Sequence, residues 1–215
     1  MFGVTSVQAD SITIIGDNPY PSTAALVTVP SESSGFGDDA NVSLEQSFLV
    51  SSGFDLASIL IPYENDTNGN QDWDMTVAIF PVADRFATNF TASGGALYSQ
   101  TFTFPATGLG DGSAAANTEV IAQLDLMNPF TLAANTGTAG YVIQITEASG
   151  ADFNPGFEWI RPTADEYADG VMYEDGLEKN TGERDLSFAL IAVPEPSSLT
   201  LLGLGSVLMM VRRRR

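Results

Sequence analysis

The chain has 215 residues, of which 27 are acidic and 8 are basic, so its formal net charge is −19. Cysteine and histidine are absent, which excludes disulfides, Ser-His and Cys-His triads, and zinc sites built on thiolate or imidazole. A metal would have to be held by oxygen, which favours calcium or magnesium. Four of the basic residues are Arg212 to Arg215, so residues 1–211 carry 27 acids and 4 bases, a net of −23. Such a body repels phosphates, and no nucleic-acid partner is expected.

The first ten residues look like the end of a secretory leader. Val7-Gln8-Ala9 precede Asp10 and place small residues where signal peptidase requires them, but residues 1–6 contain no basic or apolar leader segment. We predict that residues 1–10 are a signal-peptide remnant, that the gene start lies upstream of Met1, and that Asp10 is the mature N-terminus. The alternative is a genuine start at Met1 followed by a disordered stub.

Between residues 11 and 192, apolar side chains alternate with polar ones, the period of strands that bury one face. The predicted strands are 11–15, 24–28, 42–50, 55–62, 73–80, 97–104, 119–126 and 140–146, then short runs marked by Phe157 and Trp159 and by Leu186, Phe188 and Leu190. Short connections imply antiparallel pairing. We therefore predict an all-β ectodomain over residues 11–192, an antiparallel β-sandwich of jelly-roll type.

One polar loop between two predicted strands has the composition of a calcium site. Glu64, Asp66 and Asn68 stand at alternate positions, and Gly69 and Asp72 follow. The loop departs from an EF-hand because Met75 stands where a bidentate Glu would close the site, and both flanks are strands. We name Glu64, Asp66, Asn68 and Asp72 as candidate calcium ligands. The alternative is a polar hairpin loop with an Asn-Gly turn.

Several aromatic residues suggest a surface on which sugar rings could stack. The candidates are Trp73, Trp159, Tyr63, Tyr167 and Tyr173. For Trp73 a core position is the better interpretation, since it is in register with Met75, Val77 and Ile79. Among 27 acids no catalytic pair can be singled out, and we predict no enzymatic activity.

The chain contains one short internal repeat. Its two copies are Tyr167-Ala168-Asp169-Gly170 and Tyr173-Glu174-Asp175-Gly176. Asp-Gly pairs strongly favour turns. The favoured interpretation is two turns flanking a short strand.

The C-terminus has three parts: Val193-Pro194-Glu195-Pro196, an apolar run from Leu199 to Val211, and Arg212 to Arg215. The prolines prevent a helix from extending upstream. The apolar run predicts a hydrophobic helix that is short for a permanent membrane span, with cytoplasmic arginines. A buried core helix is the weaker alternative.

This ending resembles the PEP-CTERM sorting signal of exported bacterial proteins. Pro194, Glu195 and Pro196 match the signature motif, residues 201–205 match the hydrophobic stretch, and Arg212, Arg213, Arg214 and Arg215 match the basic tail. The resemblance implies recognition by an exosortase, a membrane-embedded transpeptidase-like enzyme. It also implies transient insertion in the inner membrane, removal of the tail, and transfer to the cell surface or an exopolysaccharide matrix. Residues 193–215 form this predicted signal.

We therefore expect an exported protein with a structural or adhesive role, sorted by an exosortase. The first alternative is a carbohydrate-binding, lectin-like module, and the second is a secreted polysaccharide-degrading enzyme. A scaffold lacks a ligand cleft, a lectin exposes coplanar aromatics, and an enzyme shows converging carboxylates in a cleft.

The calcium hypothesis gives a direct test on the purified protein. A cation that binds only the folded state stabilises it by RT ln(1 + [L]/Kd), about 2.7 kcal/mol at a hundredfold excess over Kd. Millimolar calcium should raise the melting temperature more than sodium at matched ionic strength, and Asp66→Ala with Asp72→Ala should remove that difference. Equal effects of calcium and sodium on the wild type would leave the loop as a hairpin only.

Overall fold

A computed structural model describes residues 11–14, 24–27, 33–36, 43–65, 72–105, 120–148, 157–162, 167–179 and 185–194. These ranges contain thirteen β-strands and no helix. The strands are β1 (Ser11–Ile14), β2 (Ala24–Val27), β3 (Ser33–Phe36), β4 (Ser43–Phe48), β5 (Phe54–Asn65), β6 (Trp73–Val82), β7 (Tyr98–Phe104), β8 (Val120–Leu132), β9 (Gly140–Glu147), β10 (Phe157–Pro162), β11 (Met172–Glu174), β12 (Leu177–Glu178) and β13 (Ala189–Ala192).

The strands form two sheets in which every pairing is antiparallel. Sheet A has the order β1-β8-β5-β10-β3, and β13 lies between β5 and β2 in the same sheet. Sheet B has the order β12-β11-β4-β9-β6-β7. Strand β5 pairs with β13 near its start and with β10 near its end, so those two strands follow one another along the same side of β5.

The inner faces of the two sheets share one core. On β6 the inward residues Trp73, Met75, Val77 and Ile79 are all buried, as alternation predicts. Across the layer, β5 and β8 contribute Ile59, Ile61, Tyr63, Val120, Ala122 and Leu124 to the same cluster. Full burial of a large apolar side chain is worth about 1.5–3 kcal/mol. The structure is therefore all-β and sandwich-like.

Aromatic rings fill one end of this core. Tyr63 lies 5.2 Å from Phe104, 5.6 Å from Phe157 and 6.4 Å from Trp73, measured between ring centroids. Most of these pairs are edge-to-face, a favoured geometry worth about 0.5–1.5 kcal/mol beyond burial. Because the four rings come from β5, β6, β7 and β10, the cluster joins the two sheets.

The predicted strands correspond closely to the observed ones. Alternation located β4 to β9 to within a few residues, except that β8 continues to Leu132. Residues 185–188 are not a strand, although Leu186 and Phe188 are buried in the core as expected. Strand β3 was missed, since Ser-Ser-Gly-Phe carries no alternation of apolar residues.

The internal repeat at residues 167–176 folds as two turns that flank a short strand, which confirms the favoured interpretation. After β11, Asp175 (φ 52°) and Gly176 (φ 75°) form a two-residue loop to β12. Positive φ at both central residues is the signature of a type I′ hairpin turn, which favours Asp-Gly. The hairpin adds β11 and β12 to the edge of sheet B beside β4.

The first turn of this segment approaches β4 very closely. The Ser47 and Val171 backbones are joined by a 3.0 Å hydrogen bond from the Ser47 amide to the Val171 carbonyl. A Cβ built on Gly170 would lie 1.9 Å from the Ser47 carbonyl oxygen. Only glycine can occupy this position without moving one backbone away from the other.

Gly170→Ala should therefore destabilise the fold by about 3 kcal/mol, because the clash is with backbone that cannot rotate away. Thermal or denaturant unfolding of the purified protein measures this loss. Gly95→Ala is the matched control, since nothing lies within 4 Å of a Cβ at that position. Equal stability of the two variants would show that the contact between Gly170 and Ser47 is not tight in solution.

Candidate functional site

The C-terminal tail leaves the domain directly from a strand inside sheet A. Strand β13 pairs with β5 on one side and with β2 on the other. One residue further, the Val193 amide donates a 2.8 Å hydrogen bond to the Asp55 carbonyl. Val193 and Pro194 are exposed. The tripartite tail therefore begins at the surface, with a single residue between the last strand and Pro194.

The candidate calcium ligands lie at the boundary of the described residues. The Glu64 backbone lies near the end of β5, where it is the register partner of Glu158 on β10. Asp72 is exposed just before β6. Asp66 and Asn68 lie outside the described residues. Within the described ranges no cluster of three or more acidic residues is placed to hold a metal, and the calcium site stays a prediction.

The aromatic residues proposed as a stacking surface are not on the surface. Tyr63, Trp73, Trp159 and Tyr173 are buried, and Tyr167 is half-buried. Trp159 is fully buried, and its indole Nε1 donates a 2.6 Å hydrogen bond to the Ser187 carbonyl. The core position favoured for Trp73 is confirmed, whereas the idea of a sugar-stacking platform from these five residues is wrong.

A buried polar contact links β4 to the last stretch of the domain. Gln46 points into the core between Leu44 and Phe48. Its side-chain amide donates to Asp185 Oδ1 at 2.9 Å, and its Oε1 accepts from the Leu186 amide at 2.7 Å. The other Asp185 oxygen accepts from the Tyr167 amide at 2.9 Å. The inward Gln46 is thus satisfied by groups about 140 residues away in the sequence.

Arg85 is the hub of a second buried polar cluster. Its guanidinium donates to three carbonyl oxygens, those of Asp169 (2.8 Å), Gly137 (2.6 Å) and Ala139 (3.2 Å). It is 3.4 Å from the Asp169 carboxylate, which is half exposed. The Arg85 carbonyl in turn accepts from the Ser47 hydroxyl at 2.6 Å. A buried arginine that binds carbonyl oxygens fixes loops in place. Here it joins two loops, one at residues 137–139 and one at Asp169, to its own loop, which is bonded to β4.

Tyr173 and Tyr167 complete the contacts around Arg85. The Tyr173 hydroxyl donates to the Arg85 carbonyl at 3.1 Å, and the Tyr167 hydroxyl accepts from the Leu49 amide at 2.9 Å. Burial raises the pKa of each phenol to about 12. Both hydroxyls therefore stay neutral at physiological pH, as structural hydrogen bonds require.

Glu45 is a fully buried acid on the opposite face of β4 from Gln46. Its carboxylate accepts from the Gln144 side chain at 2.9 Å and from the Gly176 amide at 3.4 Å. Burial raises its pKa above the ordinary value, and nearby Asp175 adds to the shift, while hydrogen bonds from Ser43, Gln144 and Gly176 oppose it. Ionisation of Glu45 therefore disfavours the fold.

The comparison with protein families decides the nature of the tail. The pattern of the PEP-CTERM protein-sorting motif matches residues 192–215. The chain carries a PEP-CTERM sorting signal. No curated protein and no solved structure is significantly similar to the chain.

The PEP-CTERM signal identifies an exported protein that is sorted at the membrane by an exosortase. Of its signature residues, Pro194 is exposed at the end of β13, and Glu195, Pro196 and Arg212 to Arg215 lie outside the described residues. In the part of the chain that the structure describes, no helix is long and apolar enough to cross a membrane.

Sequence reasoning found the PEP-CTERM signal but missed the polar contacts that hold its attachment point. A signal for one of them was present: Gln46 stands on the predicted inward face of 42–50, between Leu44 and Phe48, and a polar residue there needs a buried partner. The sequence contains no comparable signal for the Arg85 cluster. Its acceptors are backbone carbonyls, which every residue has.

Glu45→Gln should stabilise the protein at neutral pH. Between the ordinary pKa of 4.5 and the raised folded-state pKa, the folded protein holds a proton that the unfolded chain has lost. Stability therefore falls as pH rises through that window, and the full penalty is present above it. The variant should melt higher than wild type near pH 7 and alike near pH 4.

Asp74→Asn is the control, since it removes one negative charge from an exposed position on the same sheet and keeps an amide oxygen that can accept the hydrogen bond from the Thr103 hydroxyl. A control that melts as much higher as Glu45→Gln would assign the effect to net charge. Melting curves of the three proteins across pH separate these explanations.

Proposed function

We propose that this protein is a structural or adhesive component of the cell envelope or of an exopolysaccharide matrix, delivered there by its PEP-CTERM signal. The observation that carries the proposal is the match at residues 192–215, attached without a linker to a folded β domain. The signal directs the protein out of the cytoplasm. Residues 1–211 carry a net charge of −23, and such a charge keeps an extracellular protein soluble.

We propose a division of the chain into three parts, and the end of β13 at Ala192 supports the second of its two boundaries. Residues 1–10 are a signal-peptide remnant, 11–192 the ectodomain and 193–215 the removable signal. In the precursor, Leu199 to Val211 form a hydrophobic helix in the inner membrane, and the arginines hold it from the cytoplasmic side. After the tail is removed, the ectodomain is transferred to the surface or the matrix.

We infer a jelly-roll topology for the ectodomain. Eight strands taken in chain order are β2, β4, β5, β6, β7, β8, β9 and β13. Sheet A contains the order β2-β13-β5-β8, and sheet B contains β4-β9-β6-β7. Numbered one to eight, these orders are 1-8-3-6 and 2-7-4-5, the arrangement of two interlocked Greek keys. The shorter strands extend this frame at its margins.

A passive role is supported by what the buried polar and ionisable groups do. Gln46 and Asp185 bind one another and backbone amides, Arg85 binds backbone carbonyls, and Glu45 binds an amide side chain and a backbone amide. Each group is engaged in holding loops or strands together. The aromatic surface on which the carbohydrate-binding alternative was based is buried, which favours the scaffold role.

The decisive experiment follows the fate of the precursor in cells. Pro194→Ala with Glu195→Ala should leave uncleaved precursor in the inner membrane, as should deletion of the sorting enzyme, whereas wild type should reach the surface or matrix fraction. Asn128→Ala with Pro129→Ala, an exposed pair elsewhere, is the matched control. Immunoblots of the fractions give the result. Normal processing of the double variant would remove the sorting argument.

The structural role has its own test. A strain without the gene should form a weaker matrix or detach more readily from a surface, with unchanged polysaccharide composition. If the purified protein shortened the polysaccharide, it would be a degrading enzyme and the proposed structural role would be wrong. The conclusion that the protein is exported and sorted by its PEP-CTERM signal would not be affected.

A further inference from the structure

Strand β7 is an open edge of sheet B. Among the described residues it pairs with β6 alone and ends the order of that sheet. Strand β1 of sheet A runs close to it without pairing. Ser99, Gln100, Thr101 and Thr103 are exposed. An edge strand presents alternate backbone amides and carbonyls that the neighbouring strand does not use.

The other edges within the described ranges are short, as proteins usually arrange them. Strands β1, β2 and β3 have four residues each, and β12 has two, of which one is Glu178. Strand β7 has seven residues. Among the strands that end a sheet in the described part of the fold, it is therefore the longest.

Strand β7 also lacks the devices that protect an edge from pairing. Its sequence, Tyr-Ser-Gln-Thr-Phe-Thr-Phe, contains no charge, no proline and no glycine. Its register with β6 runs from Trp73↔Phe104 to Ile79↔Tyr98 without a bulge. Lysines, prolines and bulges are the usual means of blocking edge-to-edge association. An uncharged, β-prone strand without a bulge is a template for a further strand.

The charge distribution indicates which partner this edge accepts. No charged residue occurs from Phe86 to Gly110, in a chain whose net charge is −19. Two copies of a strongly acidic molecule repel one another over most of their surfaces, and they approach at least electrostatic cost where neither carries charge. Strand β7 is such a place, because it carries no charge itself. The carboxylate bound to it, that of Asp74, accepts a 2.6 Å hydrogen bond from the Thr103 hydroxyl and belongs to β6, one strand in from the edge.

We propose that β7 pairs antiparallel with β7 of a second copy of this chain, about a two-fold axis at Thr101, so that the two B sheets become one continuous sheet. Only a register centred on Thr101 pairs all seven residues of the strand. It places Ser99 opposite Thr103 of the other copy and Thr101 opposite Thr101, and all of these hydroxyl side chains lie on one face. Such an interface is isologous, as most homodimer interfaces are.

The absence of cysteine from the chain makes this register measurable. In the full-length protein in detergent micelles, Thr101→Cys introduces a single thiol, and opposite Cα atoms in an antiparallel pair are about 4.5–5.5 Å apart. That spacing permits a disulfide. Mild oxidation should yield a covalent dimer at least tenfold faster than Thr136→Cys, a threonine exposed in a distant loop. The control also reports any contact caused by the apolar tail.

A mixture of two proteins tests the register itself. Ser99→Cys and Thr103→Cys should cross-link to each other when mixed, and neither should cross-link to itself. In the proposed register, Ser99 of one copy and Ser99 of the other are offset by four residues along the strand, a distance of about 13 Å, and the same holds for the two Thr103 residues. Cross-linking of Ser99→Cys alone as fast as the mixture would overturn the proposal.

A charge placed on the edge should abolish the pairing. Thr101→Lys added to both members of the mixed pair should reduce cross-linking at least tenfold, whereas Thr136→Lys, with the same charge change, should leave it unchanged. Raising sodium chloride from about 20 mM to about 500 mM should increase the dimer yield of Thr101→Cys, because salt screens the repulsion between the acidic bodies.

The remaining outcomes are also decisive. No excess of the Thr101→Cys dimer over the control at any salt concentration would overturn the proposal. A cross-link made in cells to a protein of different mass, without homodimer, would overturn it in favour of another strand donor. Circular dichroism of each variant confirms that the β fold is intact.

Discussion

The hydrogen bonds between Gln46 and the residues at 185 and 186 are the constraint on which the domain's closure depends. Gln46 lies inside an apolar core, where an unpaired amide costs about 1–3 kcal/mol. Its partners come from the stretch that leads into β13. The low dielectric of the core strengthens these bonds and makes their loss costly. The last stretch of the ectodomain is consequently held in one place.

The same stretch crosses both sheets of the sandwich. Strand β11 adds to sheet B beside β4, Asp185 meets Gln46 between the layers, and β13 inserts into sheet A between β2 and β5. Arg85 fixes the start of this stretch through the Asp169 carbonyl. The PEP-CTERM signal therefore follows a segment that makes contacts with both sheets of the sandwich.

The sequence was most informative where the determinants are local. Alternation along β6 identified Trp73 as core because side-chain direction depends only on position within the strand. The sorting signal was also local, since motif, apolar run and arginines are consecutive. In contrast, the burial of Trp159 follows from packing beneath residues 185–188, and the Arg85 cluster joins loops up to about 84 residues apart. Such contacts are set by topology, which composition and spacing do not encode.

The same distinction explains the candidate sites. The calcium ligands were chosen from residue types in one loop, and oxygen-rich loops are common in acidic proteins whether or not they bind an ion. The aromatic platform was wrong because Tyr63 and Trp73 face inward on adjacent stretches of the two sheets, where an amphipathic ring serves equally well as core. Gln46 was the one polar residue whose position on an apolar face signalled its role.

The position of β13 has a mechanical consequence for a protein held by its C-terminus. A pull at Pro194 along the strand acts on the ladders with β2 and β5 together, and ladder bonds lie perpendicular to the strand. The load is therefore shared in shear by both neighbours and not taken by one bond at a time, as it would be in peeling. A domain tethered through this strand resists drag from flowing medium more strongly than one tethered through a hairpin at the edge.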